Sequence, residues 1–435
     1  MSVIKSEKTL IIEQKILFVS NLPFADIGNN GKTFQSLFSD FDDSQVAQLF
    51  FNNVQPSQKK FFNYFRITDI DILKYIFSFH LLEIIGISQK SYDLNNMSQG
   101  KFISQSDLCK KFLRNFLFSK INFTQLGSFK LWIGNFKPTS IFFIGTNYIF
   151  SYQILNYLSS FYNLPYFIYF TDDYFLYNKG TNFISKIMHK RFIEKSKKIV
   201  ERAEELFVIS QKMKHEYELF FGKKCTVLIN AVDKGCIPVS KHKFEQNIVF
   251  RYFGGLHSNR SSSLRYLGEC LKKLNKKYEQ NFILEVYSLT EPTSKIKSDL
   301  SIETILICKP ITGDELKNKM TTSDFLVHAE SFEPEDINVT MLSISTKIPE
   351  YLLSNRCVLA IGPPQLASIS IFKHNKLGIV IEDTKSVDVD GERIYEVITN
   401  IDLYNSYCRK SELFYDTEFS ASKMKKYLKN TLLNI

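Results

Sequence analysis

The sequence predicts an α/β protein built from two doubly wound, Rossmann-like domains. Three observations carry that expectation. The 435 residues exceed what one ordinary core accommodates, and two domains of about 200 residues each are the natural division. Short apolar runs alternate twice with amphipathic stretches of helical length, the pattern of parallel strands joined by crossover helices. The stretch from Pro138 to Thr171 holds no charged residue, yet it breaks cleanly into strand, helix and strand.

Taken in order, the first element is a continuous apolar strand from Ile16 to Val19. Gly28 and Gly31 then precede an amphipathic helix with Phe34, Leu37, Phe38 and Phe41 on one side. The GNNGKT run there lacks the spacing of a P-loop or of GxGxxG. Ile70 to Ser88 reads as helix, and Gln89 to Lys130 as a polar, solvated helical region. In the charge-free stretch, Ser140–Ile144 and Tyr166–Phe170 read as strands around a helix from Phe150 to Tyr162. A membrane span needs about 20 mainly apolar residues, and Gly145, Asn147, Gln153, Asn156, Asn163 and Pro165 interrupt this one, so a buried βαβ unit is expected. A charged helix from Lys186 to Glu205 follows, then strand Leu206–Ser210, helix Gln211–Phe221 and strand Cys225–Asp233. Lys234 to Gln246 is polar and reads as the linker. A second βα series runs from Asn247 to beyond Gly378.

Near the end of that series lies "SISTKIPEYLLSNRCVLAIGPP", from Ser343 to Pro364. Ile348 precedes a proline and Pro349 suits a first helical position, so a helix starts there. Asn355 is a plausible left-handed terminator, and Cys357–Ile361 reads as a buried strand stopped by Gly362-Pro363-Pro364. Helix N-termini bind anions through free N–H groups, and Lys347 adds a point charge for a phosphate. A carboxylate such as Glu350 suits hydroxyls, which the ribose of a nucleotide offers. The alternative is an ordinary capped helix start with a dipole-favoured glutamate.

Composition sets outer bounds. Hydrophobic residues make up 44% and charged residues 23%, a globular balance. A net charge of +10 and a pI near 9.0 imply attraction to an anion, whether nucleic acid, membrane surface or phosphorylated ligand. The basic residues are spread along the chain without an RNP-like or helix-turn-helix pattern, so no nucleic-acid partner is expected. The seven cysteines are scattered, without a CxxC pair or zinc spacing, as in a reducing cytosol. The charged start "MSVIKSEKTLIIEQK" has no apolar core, and no signal peptide is expected.

From Lys15 onward the chain resembles glycosyltransferase family 4, whose members have the two-domain GT-B fold. "FVISQKMKHEYELFFGKKCTVLINAVD" resembles the end of that family's N-domain, and "YFGGLHSNRSSSLRYL" the first strand and glycine turn of its nucleotide-binding domain. "SDFLVHAESF" is similar to the strand before the donor site, and "STKIPEYLLSNRCVLAIGPP" to the signature helix and strand. "FKPTSIFFIG" and "NLPYFIYFTDD" fit the N-domain strands that face the acceptor. The resemblance implies two domains facing across a cleft: residues 1–235 on the acceptor side, residues 236–415 binding the nucleotide sugar, and a final helix, 416–435, crossing back.

It also implies roles. Glu350 takes the ribose, while Ser345, Thr346 and Lys347 meet the diphosphate or sugar, with Ile348 and Tyr351 in the same donor-binding stretch. Arg260, after Gly254-Gly255, matches the basic residue that neutralises the departing pyrophosphate; Arg260, Lys347 and Glu350 form the expected catalytic set. Gly31, with Gly28 as a second candidate, matches a loop that approaches the donor. Asp172 and Asp173 are acceptor-side candidates, in a region where many members carry a histidine. Many members also place a glutamate eight residues before the ribose one; Leu342 stands there, and Glu330 and Glu333 are candidates to contact the sugar instead. Leu256 replaces a second phosphate-binding arginine.

The activity so implied is retaining transfer of a sugar from a nucleotide diphosphate to a glycan or lipid-linked acceptor, in cell-surface polysaccharide synthesis. No cofactor or metal is expected, since cationic side chains replace it and no DxD-like motif stands out. The expected location is cytoplasmic, with peripheral contact to an anionic membrane through Lys110, Lys111 and Arg114. The rival readings are a nucleotide-sugar-binding protein without transfer activity, a hydrolysing nucleotide-sugar epimerase and, behind both, a nucleic-acid-binding protein suggested by the +10 charge.

Overall fold

Two parallel sheets organise the chain. In the computed structural model the described residues are 13–25, 29–57, 59–77, 108–123, 126–177, 182–230, 232–235, 237, 244 and 247–434, without the side chains of 29, 30 and 108–110. The first half contributes β1 (Ile16–Ser20), α1 (Asn29–Leu37), β2 (Val46–Phe50), β3 (Tyr64–Arg66), α2 (Asp69–Phe77), α3 (Leu108–Phe118), α4 (Gly127–Phe136), β4 (Ser140–Ile144), α5 (Ile149–Tyr162), β5 (Tyr166–Phe170), α6 (Phe183–Glu201), β6 (Leu206–Val208), α7 (Gln211–Phe221) and β7 (Cys225–Val227). Its sheet has the order β3-β2-β1-β4-β5-β6-β7. The second half contributes β8 (Asn247–Phe253), α8 (Arg260–Tyr278), β9 (Asn281–Tyr287), α9 (Ser294–Asp299), β10 (Ile305–Cys308), α10 (Gly313–Thr321), β11 (Phe325–Ala329), α11 (Pro334–Thr340), α12 (Ile348–Leu353), β12 (Cys357–Ile361), α13 (Ala367–Asn375), β13 (Gly378–Ile381), α14 (Val387–Thr399) and α15 (Ile401–Phe414). Its sheet has the order β10-β9-β8-β11-β12-β13. A π-helical turn (Tyr415–Phe419) and α16 (Ala421–Leu433) end the described chain.

Burial explains the strands. Residues buried on both faces of a parallel sheet read as unbroken apolar runs, and β1, β4, β5, β11 and β12 are buried throughout. The first core is largely phenylalanine. Phe18 stacks among Phe24, Phe34, Phe38 and Phe142, with Phe18 and Phe24 rings 4.3 Å apart and Phe38 edge-on to Phe142 at 5.1 Å. The charge-free segment is the β4-α5-β5 unit, its helix stopped at Asn163 in the left-handed region. Among the described residues no helix is long and apolar enough to cross a membrane.

The described residues form two compact units: those within 1–170, 181–207 and 425–435 in one, and those within 171–180 and 208–424 in the other. The stretch after Phe207 and the loop carrying Asp172 and Asp173 group with the second unit. In the first unit, the chain end contributes the buried Leu428 and Leu432, a bond from the Tyr427 hydroxyl to Glu205 (2.8 Å) and one from Lys429 Nζ to the Asp40 carbonyl (2.5 Å). The helix expected to Ser88 is described as far as Phe77, and most of the linker at Lys234–Gln246 lies outside the described residues.

Candidate functional site

In the second sheet the chain winds outward in opposite directions from β8 and β11, which lie side by side. Ligands of open parallel sheets bind outside the strand C-termini at such a switch point. Gly254 and Gly255 follow β8. A Cβ on Gly254 would lie 2.6 Å from the Tyr252 hydroxyl, and one on Gly255 would lie 2.5 Å from the His257 ring, so neither position has room for a side chain. Ser258 and Asn259 are both left-handed and turn the chain into α8, whose first residue is Arg260.

Arg260 is held on several sides. Its Nε and Nη2 donate to Glu330 Oε2 at 3.1 and 2.9 Å, and Nη1 lies 3.1 Å from His257 Nε2. A guanidinium cannot accept a bond, so His257 Nε2 carries the lone pair. Burial, with Arg260 beside it, lowers the His257 pKa. Glu330 follows β11; burial raises its carboxyl pKa while Arg260 opposes the rise. Ser263 donates to the Glu330 carbonyl (2.6 Å), and Asn259 donates to Asp336 (2.8 Å), completing the shell. Sequence reasoning had singled out Arg260 and Glu330 but not their pairing, and it missed His257, Ser263 and Asp336. His257 lies within the quoted glycine turn; spacing alone gives no signal for the others.

The mouth of α12 is arranged differently. Lys347 Nζ donates to Glu350 Oε2 at 2.8 Å, so the cation and the acid of this stretch meet each other. Ser345 Oγ accepts from the Lys347 N–H (3.3 Å) and its carbonyl from Ile348 N–H (3.0 Å). The Thr346 carbonyl accepts from Asn230 Nδ2 (3.1 Å). Ile348 and Tyr351, expected in the donor-binding set, put their side chains into the core. The helix stops where expected: Asn355 is left-handed and follows Ser354, the last capping residue.

The remaining candidates separate. Asp173 is consumed by its own loop, accepting from the Tyr217 hydroxyl and from the N–H groups of Phe175, Leu176 and Tyr177. Asp172 Oδ1 accepts from Ser343 Oγ (2.8 Å) and the Asp173 N–H (2.9 Å), and burial pushes its pKa up to about 6. Glu333 stands at the N-cap position of α11 without a side-chain capping bond and is exposed. Leu342 and Leu256, at positions of family polar residues, are fully buried. Gly31 lies on α1 in the first unit, where a Cβ would sit 2.8 Å from the Ala25 carbonyl; Gly28 lies outside the described residues. Of the basic residues expected at a membrane, Arg114 is tied to Asp69 (2.9 Å), Asn21 (2.7 Å) and the Phe51 carbonyl, and Lys111 lies over the Phe192 ring with its pKa lowered to about 8 by burial. The Lys110 side chain is outside the described set. A cavity of about 420 Å³ in the second unit, lined by Lys212, Ser370, His374, Phe414 and Glu418 among others, contains none of the expected site residues. Among the described residues no cluster of three or more His, Cys, Asp or Glu is placed to hold a metal ion.

No protein-family model and no curated protein matches the sequence. Solved structures do match over nearly the full chain. The HepE protein of Anabaena, in complex with UDP-glucose, is 11% identical with a TM-score of 0.60, covering 97% of this chain and 100% of its own. A glycosyltransferase of Rickettsia africae is 12% identical with a TM-score of 0.59, covering 97% and 98%. WaaG, a glycosyltransferase involved in lipopolysaccharide biosynthesis, is 10% identical with a TM-score of 0.52, covering 96% and 99%. The fold is GT-B: two Rossmann-like units, each on its own parallel sheet.

Proposed function

We propose that the chain is a glycosyltransferase that takes its sugar from a nucleotide diphosphate donor bound at the switch point of the second sheet. The observation that carries this reading is Arg260. A guanidinium has five N–H donors, three of them are directed at Glu330 and His257, and the other two stay available beside a glycine turn with no room for side chains. Breaking the anomeric C–O bond builds negative charge on the departing diphosphate, and a pre-aimed guanidinium stabilises that charge without reorganising. Lys347 adds a second cation once a ligand parts it from Glu350, which then turns to the ribose hydroxyls. The UDP-glucose on HepE makes UDP the first donor base to try. The test is a thermal-shift screen with UDP, GDP and dTDP and their sugars. A ligand at 100 times its dissociation constant stabilises by about 2.7 kcal/mol, and Arg260→Gln should abolish the shift. No shift with any nucleotide would overturn the reading.

The finer reading is a retaining, family 4 type transfer to a glycan or lipid-linked acceptor in cell-surface polysaccharide synthesis, from the cytoplasmic side and without metal. The lipopolysaccharide role of WaaG supports the acceptor class. Product anomers resolved by NMR test retention, and full turnover in EDTA tests the metal. With Arg114 and Lys111 engaged internally, membrane contact is better supported by the exposed Phe112, Leu113 and Phe116 of α3, and flotation on anionic liposomes tests it. One observation favours the rival epimerase or binding-only reading: Leu342 puts a buried aliphatic side chain at the family's sugar-contacting position. Epimerisation or hydrolysis of UDP-sugars without acceptor would establish that rival.

A further inference from the structure

We propose that Glu330 is a positioning residue for Arg260 that takes up one proton when a nucleotide diphosphate binds, the proton lying on Oε1 toward His328. The proposal rests on the nucleotide reading above. Its starting point is an unsatisfied atom. His328, on β11, is buried, and its Nε2 has no hydrogen-bond partner. That nitrogen lies 3.6 Å from Glu330 Oε1, the carboxylate oxygen that Arg260 leaves unused. A buried polar atom without a partner in a native fold calls for a reason. Burial pushes the His328 pKa down to about 3, so its ring stays neutral. A neutral ring has one N–H and one lone pair; we assign the lone pair to Nε2, which sets two acceptors facing each other across that gap. A proton on Oε1 converts the contact into an O–H···N bond and satisfies both.

Ligand binding supplies the drive. In the free protein the Arg260 cation balances the Glu330 anion, with both side chains largely withdrawn from solvent. The other titratable groups around Glu330 are His257 before α8, Asp336 on α11 and Tyr252 on β8. His257 holds no proton on Nε2, and Asp336 adds negative charge. A diphosphate drawn to the two remaining N–H groups of Arg260 brings further negative charge beside the buried carboxylate. Like charge disfavours the ionised form, so the carboxyl takes a proton from solvent. The hydrogen bonds from Arg260 to Oε2 persist, and the guanidinium keeps its aim.

The test counts protons. Calorimetric titration of the full chain with UDP at about pH 7, in buffers of different ionisation enthalpy, should show net uptake approaching one proton per UDP bound. Glu330→Gln should bind UDP with that uptake lost, and His328→Phe should reduce it. A ligand-free arm stands independently: the infrared band of a protonated buried carboxyl should appear in Arg260→Gln, be absent from Arg260→Gln/Glu330→Gln, and be absent from Arg260→Lys, which keeps the cation. UDP binding without proton uptake, uptake that persists in Glu330→Gln, or no carboxyl band in Arg260→Gln would each overturn the proposal. If UDP does not bind while the band appears as described, the proton site of Glu330 and His328 stands and the nucleotide reading is what fails.

Discussion

Arg260–Glu330 and Lys347–Glu350 are both cation–carboxylate pairs in the second unit, and both involve residues that the sequence marks for donor binding. In the first pair the side chains are 16% and 5% exposed, two N–H groups converge on one oxygen, and His257 holds a third. In the second they are 26% and 23% exposed, joined by one contact within a single helical turn. Parting a buried pair by removing one partner typically costs about 3–5 kcal/mol, whereas a partly exposed pair of this spacing contributes only about 0.3–0.5 kcal/mol. A ligand can therefore open the Lys347–Glu350 contact at little cost, but it must use Arg260 as it stands. The comparison separates a standing part of the site from a part that forms around its ligand.

The sharpest way to break that comparison is Arg260→Met. It leaves Glu330 buried without its cation, and whether the carboxyl stays charged or takes up a proton, stability should fall in urea unfolding, by at most about 3–5 kcal/mol. Nucleotide affinity should fall at least tenfold, since hydrogen bonds to charged groups contribute roughly 1.5–3 kcal/mol. Adding Glu330→Leu removes the stranded carboxyl, and the double variant should regain most of the lost stability while affinity stays low. A double variant no more stable than the single one would show that the pair is not what the fold depends on.

Glu350→Gln tests the other side. Because the Lys347–Glu350 pair is partly exposed and spans one helical turn, unfolding stability should stay within about 0.5 kcal/mol of wild type. Affinity for a nucleotide sugar should drop by roughly 10- to 100-fold, the equivalent of about 1.5–3 kcal/mol for a lost charged acceptor. Titration calorimetry measures both the parent and the variant. An unchanged affinity would leave Glu350 as a mere helix-start charge.

The same contrast marks what could be read from the sequence. Strands Ser140–Ile144 and Tyr166–Phe170 were legible because a charge-free segment broken by Gly145, Asn163 and Pro165 into strand-length apolar runs fits strands buried on both faces. The end of α12 was legible because Asn355 tolerates the left-handed region where the chain must turn. The edge strand Tyr64–Arg66 is three residues long and leaves no period to detect. The six residues of α12 are likewise too few to reveal that Ile348 and Tyr351 face inward. Arg260 and Glu330 are 70 positions apart, and their pairing depends on β8 and β11 lying side by side, which no local pattern announces. Asp172 and Asp173 looked equivalent as neighbours, yet only the fold decides which one its own loop consumes.

Those two aspartates carry a pH signature. Asp173 is saturated by four donors. Asp172 is raised to about 6 by burial, which outweighs the bonds from Ser343 and the Asp173 N–H. Its pKa in the unfolded chain lies near 3.8, so the folded state holds this proton more tightly than the unfolded state does. The stability it contributes is fully present below about pH 4, falls as pH rises through about pH 6, and is level above that. The steepest possible slope is about 1.4 kcal/mol per pH unit for one proton. Asp172→Asn abolishes the titration and leaves the other groups in place. The wild-type minus Asp172→Asn difference in unfolding free energy should therefore decline between about pH 4 and pH 6, with the variant gaining relative ground. Ser343→Ala should shift the window upward, because it removes the bond that favours the ionised form. Denaturation midpoints of the three proteins at half-unit pH intervals read both effects, and parallel curves for wild type and Asp172→Asn would mean that the carboxyl titrates at its ordinary value.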